Sequence, residues 1–302
     1  MNCPPEPMAP ISSDRIPEGD DWVYQLKWDG VRMLAHVDHG RVELYSRKRL
    51  NKTAVYPEVV QQLAPLQGHY WLDGEVVYFD PELGRPNFQK VLQRERMRGV
   101  SLNAAAATPI AYVLFDILMI RNEDLRGLPY SERHRRLASL FPEAKPQLFV
   151  TDQFQDGHAL WAWIESRQWE GIVSKRLSST YHEGKNHQDW FKKKTKLLLV
   201  PDIVGVKRNE GRVASLVMRS ENGGYIGKVS LGLTTATRQW LEDYAESHPR
   251  GRPAFHPLPA DLAKEEIRWI DEDHILKCEV TGLEFTGDGL LRHPKIVKLH
   301  MK

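Results

Sequence analysis

The segment Lys27-Trp28-Asp29-Gly30-Val31-Arg32 decides the reading of this 302-residue chain. A lysine closes one apolar run, Asp29-Gly30 supplies a tight turn, and an arginine sits at the start of the next run. Outward from it, residues 22–28, 31–37 and 41–46 predict a strand meander, with a second turn at His39-Gly40. Residues 56–66 carry helical spacing at Val59, Leu63 and Leu66. Further strands are expected over 70–79, 110–118 and 171–176, and helices over 88–98, 131–141 (capped by Ser131) and 156–167. After Lys196 the pattern changes to strands over 197–207, 212–219, 225–231 and 274–284, with one threonine-capped helix over 234–245 and a Pro-rich stretch over 248–259. Short strands with one helix in about 100 residues predict a small Greek-key barrel of the OB type. The expected class is α+β, with one domain over 1–200, opened by a lead-in arm, and a second over 201–302; the boundary falls near Val200-Pro201.

Composition narrows the classes. Hydrophobic residues make up 41% and charged residues 27%, which fits a folded chain and excludes a disordered one. No apolar run approaches the roughly 20 residues needed to span a bilayer, and Met1-Asn2-Cys3-Pro4-Pro5 is no secretion signal. No membrane partner is expected. Two cysteines, Cys3 and Cys278, without a CxxC suit the cytoplasm and argue against cysteine-held zinc. The net charge is only +2, so nucleic-acid binding has to come from local clusters. Candidates are Arg47-Lys48-Arg49, the Arg94/Arg96/Arg98 series, Lys192-Lys193-Lys194 with Lys196, and Lys207-Arg208. Residues 201–302 balance 15 basic against 15 acidic side chains, which predicts a modest grip on any polyanion. No GxxxxGK[ST] occurs, so a P-loop is excluded.

Further motifs follow the first in order: Ser46-Arg47, Leu72-Asp73-Gly74-Glu75, Leu114-Phe115-Asp116, Glu170-Gly171-Ile172-Val173-Ser174-Lys175 and Trp190-Phe191-Lys192-Lys193-Lys194. Each alone is ordinary strand and turn sequence. Together they resemble the nucleotidyltransferase motifs of ATP-dependent DNA ligases, over nearly the whole chain. The wording is most similar to the ligase module of bacterial ligase D, an end-joining enzyme that works with Ku; Trp22-Val23-Tyr24 and Arg292-His293-Pro294 support that subgroup.

The resemblance implies a nucleotidyltransferase domain of antiparallel sheets and flanking helices, followed by the OB-fold barrel. It implies that Lys27 carries AMP taken from ATP, with Asp29, Lys192 and Lys194 in the catalytic set. Arg32 and Arg47 are placed on the nucleotide or the nick, Glu75 on the ribose, and Phe115 against adenine. Lys192 and Lys194 hold the α-phosphate. Glu170 is the first choice of ligand for Mg2+ or Mn2+, with Asp29 a contributor. Gln25, two residues before the lysine, reads the adenine edge; many relatives have Glu there. The implied partners are nicked double-stranded DNA, Ku and other end-joining proteins, and the implied form is a monomer in the bacterial cytosol or nucleoid. An attacking lysine must be neutral, and its free pKa is near 10.4. Lys192, Lys194 and a metal ion are expected to lower it.

The resemblance weakens at the C-terminus. The family pattern has a later arginine where this chain has His300, so Lys298, His300 or Lys302 are expected to stand in for pyrophosphate orientation. Two rivals share parts of the reading. One is an RNA ligase or capping-type guanylyltransferase, which uses the same lysine chemistry. The other is a non-catalytic DNA end-binding scaffold, against which the complete set of charged motif residues argues.

Overall fold

The computed structural model describes residues 4–283, 285–286 and 288–300. Cys3 and Lys302 lie outside the described residues. The chain divides into two compact units, Met1–Thr195 and Lys196–Lys302. The second begins ahead of the expected boundary because Leu197–Leu199 is a strand of its sheet.

Two large sheets and a two-stranded ribbon, Phe79–Asp80 with Arg85–Pro86, build the first unit. The smaller runs in the order Ile11–Ser12, Trp190–Lys194, Gly171–Arg176, Trp22–Leu26. The larger runs Leu148–Val150, Ala111–Ile120, His69–Val77, Val31–Asp38, Arg41–Ser46, with Glu123–Asp124 added to Ala111–Ile120. Neighbours are antiparallel except at Ile11–Ser12 and Leu148–Val150. Residues 27–30 carry the chain from one sheet to the other.

Alternation sets the layers. Along Val31–Asp38, Met33, Ala35 and Val37 enter one core, which Val59 and Leu63 of the helix Pro57–Leu63 and Leu137 of the helix Tyr130–Leu140 complete. Leu34 points the other way, joining Trp71, Leu118, Val23, Tyr181 and Trp190 in a second core shared by the two sheets. The helix Gly157–Arg167 covers the smaller sheet through Leu160 and Ile164. Asp156 caps that helix, accepting from the backbone N–H groups of His158 and Ala159.

Ser131 is not a cap. The helix starts at Tyr130 after Pro129, and its first donors are met by the chain: Tyr130 N bonds Ser179 O at 2.8 Å and Ser131 N bonds Leu177 O at 3.0 Å.

The second unit is a seven-stranded sheet, Leu197–Leu199, Leu276–Gly282, Asp202–Asn209, Arg212–Arg219, Tyr225–Val229, with Ile267–Trp269 on Asp202–Asn209 and Lys295–His300 on Leu276–Gly282. A parallel bridge between Leu231 and Lys295 joins its two ends and closes the barrel. The helix Thr235–Ser247, capped by Thr234, buries Leu241 and Ala245 in the barrel core. The single strand expected over 197–207 is two, because Pro201 has no N–H for a ladder. Lys295–His300 is the last strand: its alternation is weak, and the pairing with Leu276–Gly282 holds it. His300 Nε2 lies 3.1 Å from Glu279 Oε1 across that pairing.

One buried ion pair ties the larger sheet to the helix behind it. Arg133 Nε and Nη2 each donate to Asp116 at 2.9 Å, and Nη1 reaches the carbonyls of Leu128 and Ser179. Both side chains are fully buried. Asp116→Asn should destabilise the chain by about 3–5 kcal/mol in urea unfolding, because an uncompensated guanidinium stays inside. A joint Asp116→Leu and Arg133→Met change should cost less than the single one.

Candidate active site

The register of the smaller sheet lays the site out in rows. Val23, Lys175 and Trp190 are cross-strand partners, then Gln25, Val173 and Lys192, and Gly171 lies opposite Lys194. The N–H of Lys27 donates to Gly171 O at 2.8 Å, which extends the third row. Successive rows are two residues apart, so all face the same way. That is why lysines at alternate positions, 192 and 194, lie on one side of the sheet.

Two glycines permit the geometry. Gly171 has φ +153°, and a Cβ there would collide with the carbonyl of Lys193. A Cβ on Gly30 would collide with the carbonyl of Val76. Only glycine lets the crossing segment settle this close to the larger sheet.

The larger sheet supplies the other wall. Arg32 pairs across with Glu75 in register. Its guanidinium donates to Asp73 through Nε at 2.8 Å and Nη2 at 2.5 Å, and Tyr181 donates to the same carboxylate at 2.8 Å. Asp73 faces Asp116 across the strands while Gly74 faces Leu114, so Phe115 is the extra residue of a β-bulge. The bulge turns its ring out of the alternation and into the pocket.

The pocket encloses about 170 Å3. Gln25, Lys27, Arg32, Arg47, Glu75, Phe115 and Lys192 all line it. Glu170 and Lys194 stand beside it: Glu170 accepts from Lys27 Nζ and pairs with Lys194 Nζ, both at 2.7 Å. Asp29 is not among the lining residues, though its charge reaches Lys27. The amide nitrogen of buried Gln25 and the indole N–H of Trp190 have no hydrogen-bond partner among the described residues.

With this geometry in place, comparison with known proteins is informative. Residues 9–194 match the ATP dependent DNA ligase domain, and residues 210–301 the ATP dependent DNA ligase C terminal region. The chain belongs to the ATP-dependent DNA ligase family. It is 30% identical to the multifunctional non-homologous end joining protein LigD of Pseudomonas aeruginosa, covering 95% of this chain and 35% of that one. The crystal structure of the ligase domain from M. tuberculosis LigD superimposes with a TM-score of 0.57 at 30% identity, over 98% of this chain and 95% of that one. A mycobacterial DNA ligase D complexed with ATP and MES gives the same TM-score, 0.57, identity and coverage. The chain spans about a third of the length of the multifunctional end-joining relatives it matches and about half of that of the shorter ligases.

Within this ligase fold the charge state of Lys27 differs from expectation. Burial disfavours its ammonium, but Glu170, then Glu75 and Asp29, outweigh that and hold the pKa above the ordinary lysine value. Lys192 is depressed instead, through burial first and then the charges of Lys27, Lys194, Lys185 and Arg47. Cations gather around Lys192, whereas Lys27 Nζ is in direct contact with the Glu170 carboxylate.

Sequence reasoning missed Lys175 and Trp190. Lys175 Nζ lies 4.1 Å from the Trp190 ring centroid, 4.5 Å from Tyr130 and 4.6 Å from Phe115. Burial pushes its pKa down to about 7. Its signal was available: alternation along Gly171–Arg176 puts Val173 and Lys175 on one face, and both line the pocket.

Burial also raises the Glu75 carboxyl to about 8, against the pull of Lys27 and Arg32. Its folded value exceeds the ordinary 4.5, so its contribution to stability is complete below 4.5 and is lost as pH rises through about 8. Glu75→Gln mimics the protonated acid. The variant should unfold at a higher temperature than wild type at pH 8.5 to 9, and the gap should close toward pH 4.5. A gap independent of pH would assign Glu75 an ordinary carboxylate.

Proposed function

We propose that this chain is a DNA ligase that carries AMP on Lys27 and uses it to seal nicks in duplex DNA. The observation that carries the reading is the Lys27–Glu170–Lys194 bridge beside the pocket, inside the family match over 9–194. In the first step Lys27 Nζ, its proton lost to solvent, attacks the α-phosphorus of ATP. A nitrogen–phosphorus bond forms and the bond to pyrophosphate breaks. AMP then passes to a 5′-phosphate at the nick, and the 3′-hydroxyl displaces it to close the strand.

Every step is a phosphoryl transfer, so positioning and charge neutralisation supply the catalysis. Lys192 and Lys194 are assigned to the α-phosphate, Phe115 to the adenine face, Glu75 to the ribose, and Arg32 and Arg47 to the nucleotide and the nick. The unpartnered Gln25 amide supports its assignment to the base edge, since a buried donor without an acceptor is costly. The carboxylates of Glu170 and Asp29 are hard oxygen donors that fit Mg2+ or Mn2+. Bound there, the ion would neutralise phosphate charge. The adenylation role of the first unit, the DNA role of the second, a monomeric form, a cytosolic setting in repair or end joining and a Ku-type partner belong to the same proposal. The name of the Pseudomonas relative supports the end-joining part.

Mass spectrometry after incubation with ATP and Mg2+ should find one AMP on the peptide holding Lys27. None should form with GTP or in Lys27→Ala; an adduct surviving in that variant would falsify the assignment. Because Lys27 is held protonated, its self-adenylation rate should rise about tenfold per pH unit from pH 6 to 8.5 in single-turnover assays. Glu170→Gln removes the charge that raises Lys27, so its profile should be flatter over the same range. A wild-type rate independent of pH would mean that loss of the Lys27 proton to solvent does not limit the step.

A further inference from the structure

The hairpin joining Val31–Asp38 to Arg41–Ser46 holds a cluster that plays no part in the nucleotide pocket. We infer that Asp38, His39 and His69 form a binding site for a zinc-class transition-metal ion. Their donor atoms all lie within 4.8 Å of one another. Asp38 Oδ1 sits 2.7 Å from His39 Nδ1 and 3.3 Å from His69 Nε2. The two imidazole rings stand perpendicular, with centroids 4.8 Å apart.

Backbone constraints hold the three together. Asp38 and His69 are cross-strand partners at the end of their ladder. His39 adopts a left-handed φ of 47° in the turn, and its N–H donates to Gly68 O at 2.9 Å. The turn and the start of the strand His69–Val77 are thus fastened to each other without any ion. Arg41, the nearest cation along the chain, donates to Glu43 instead.

The chemistry of the donors selects the ion. Two imidazoles and one carboxylate suit Zn2+, Ni2+, Co2+ or Cu2+, whereas Mg2+ prefers all-oxygen sites. Bonds of about 2.0–2.2 Å in a tetrahedron separate donors by about 3.3 Å. The His69–Asp38 spacing of 3.3 Å already meets this. His39, at 2.7 Å, has to open by about half an ångström, which an exposed side chain does by small torsions. Solvent completes the coordination, because His39 is exposed and its partners are half-buried. The ion would cross-link the hairpin tip to the neighbouring strand, apart from the carboxylates proposed for the nucleotide's metal.

The test uses the full chain with any purification tag removed. Zinc is titrated in competition with a chromophoric chelator while histidine side-chain resonances are followed by NMR. One equivalent should bind, shifting His39 and His69 and leaving the other histidines in place, and millimolar Mg2+ should not compete. His39→Ala and His69→Ala should each weaken binding at least about tenfold. Both should self-adenylate with ATP and Mg2+ as wild type does, which separates this site from Lys27. Zinc affinity unchanged in the double variant, or zinc shifts confined to other histidines, would overturn the assignment. Since the resonances are read on wild type, a folding defect in a variant does not obscure the answer.

Discussion

The close passage of the chain from one sheet to the other, at residues 27–30, is the constraint on which the first unit depends. Gly30 lies against the carbonyl of Val76, where no side chain fits. This contact fixes where the crossing meets the larger sheet, beside the Val31–Val76 pair. The shared core of Leu34, Trp71, Leu118, Val23 and Trp190 fills the space further in. Between the crossing and that core lies the pocket, and Lys27 hangs over it from the crossing itself. A buried cavity lined by charged groups is costly unless those groups compensate one another. Here they do so in pairs: Arg32 with Asp73, and Lys27 and Lys194 with Glu170.

Charge is therefore distributed by partner and not by a bulk field. Arg32 is pinned by Asp73, so it presents a fixed planar group beside Phe115, 5.1 Å from the ring centroid. Asp116, next to Phe115 in sequence, is held from the opposite side by Arg133. The aromatic side chain is thus aimed by a bulge whose flanking residue is locked by a buried ion pair. Among the described residues no carboxylate contacts Lys175; carbonyl and hydroxyl oxygens of Phe115 and Tyr130 lie 3.3 and 3.5 Å away, and its proton is correspondingly loose.

Much of this was legible in the residues. The motifs named Lys27, Glu75, Glu170, Lys192 and Lys194, and strand alternation explains why 192 and 194 share a face. What stayed hidden depends on partners distant in sequence. The bulge at Phe115 is a matter of register against residues 73 and 74. The sign of the Lys27 shift is set by a carboxylate 143 residues away. Ser131 looks like a cap until Leu177 and Ser179 supply the helix's acceptors. The strand Lys295–His300 has too little alternation to be read alone, and Asp116 reads as part of a nucleotide motif although its contacts are with Arg133.

Glu170, clasped between two lysines, makes the site a three-body balance. Its two oxygens are each occupied by an ammonium group at 2.7 Å. An anion that draws either lysine toward itself leaves one oxygen bare, and a cation arriving at that oxygen finds its desolvation already met. Anion and cation thereby raise each other's affinity, by the same factor in either order of arrival. Heterotropic cooperativity of this kind needs no movement of the fold, only the exchange of one counter-ion for another within reach of a single carboxylate.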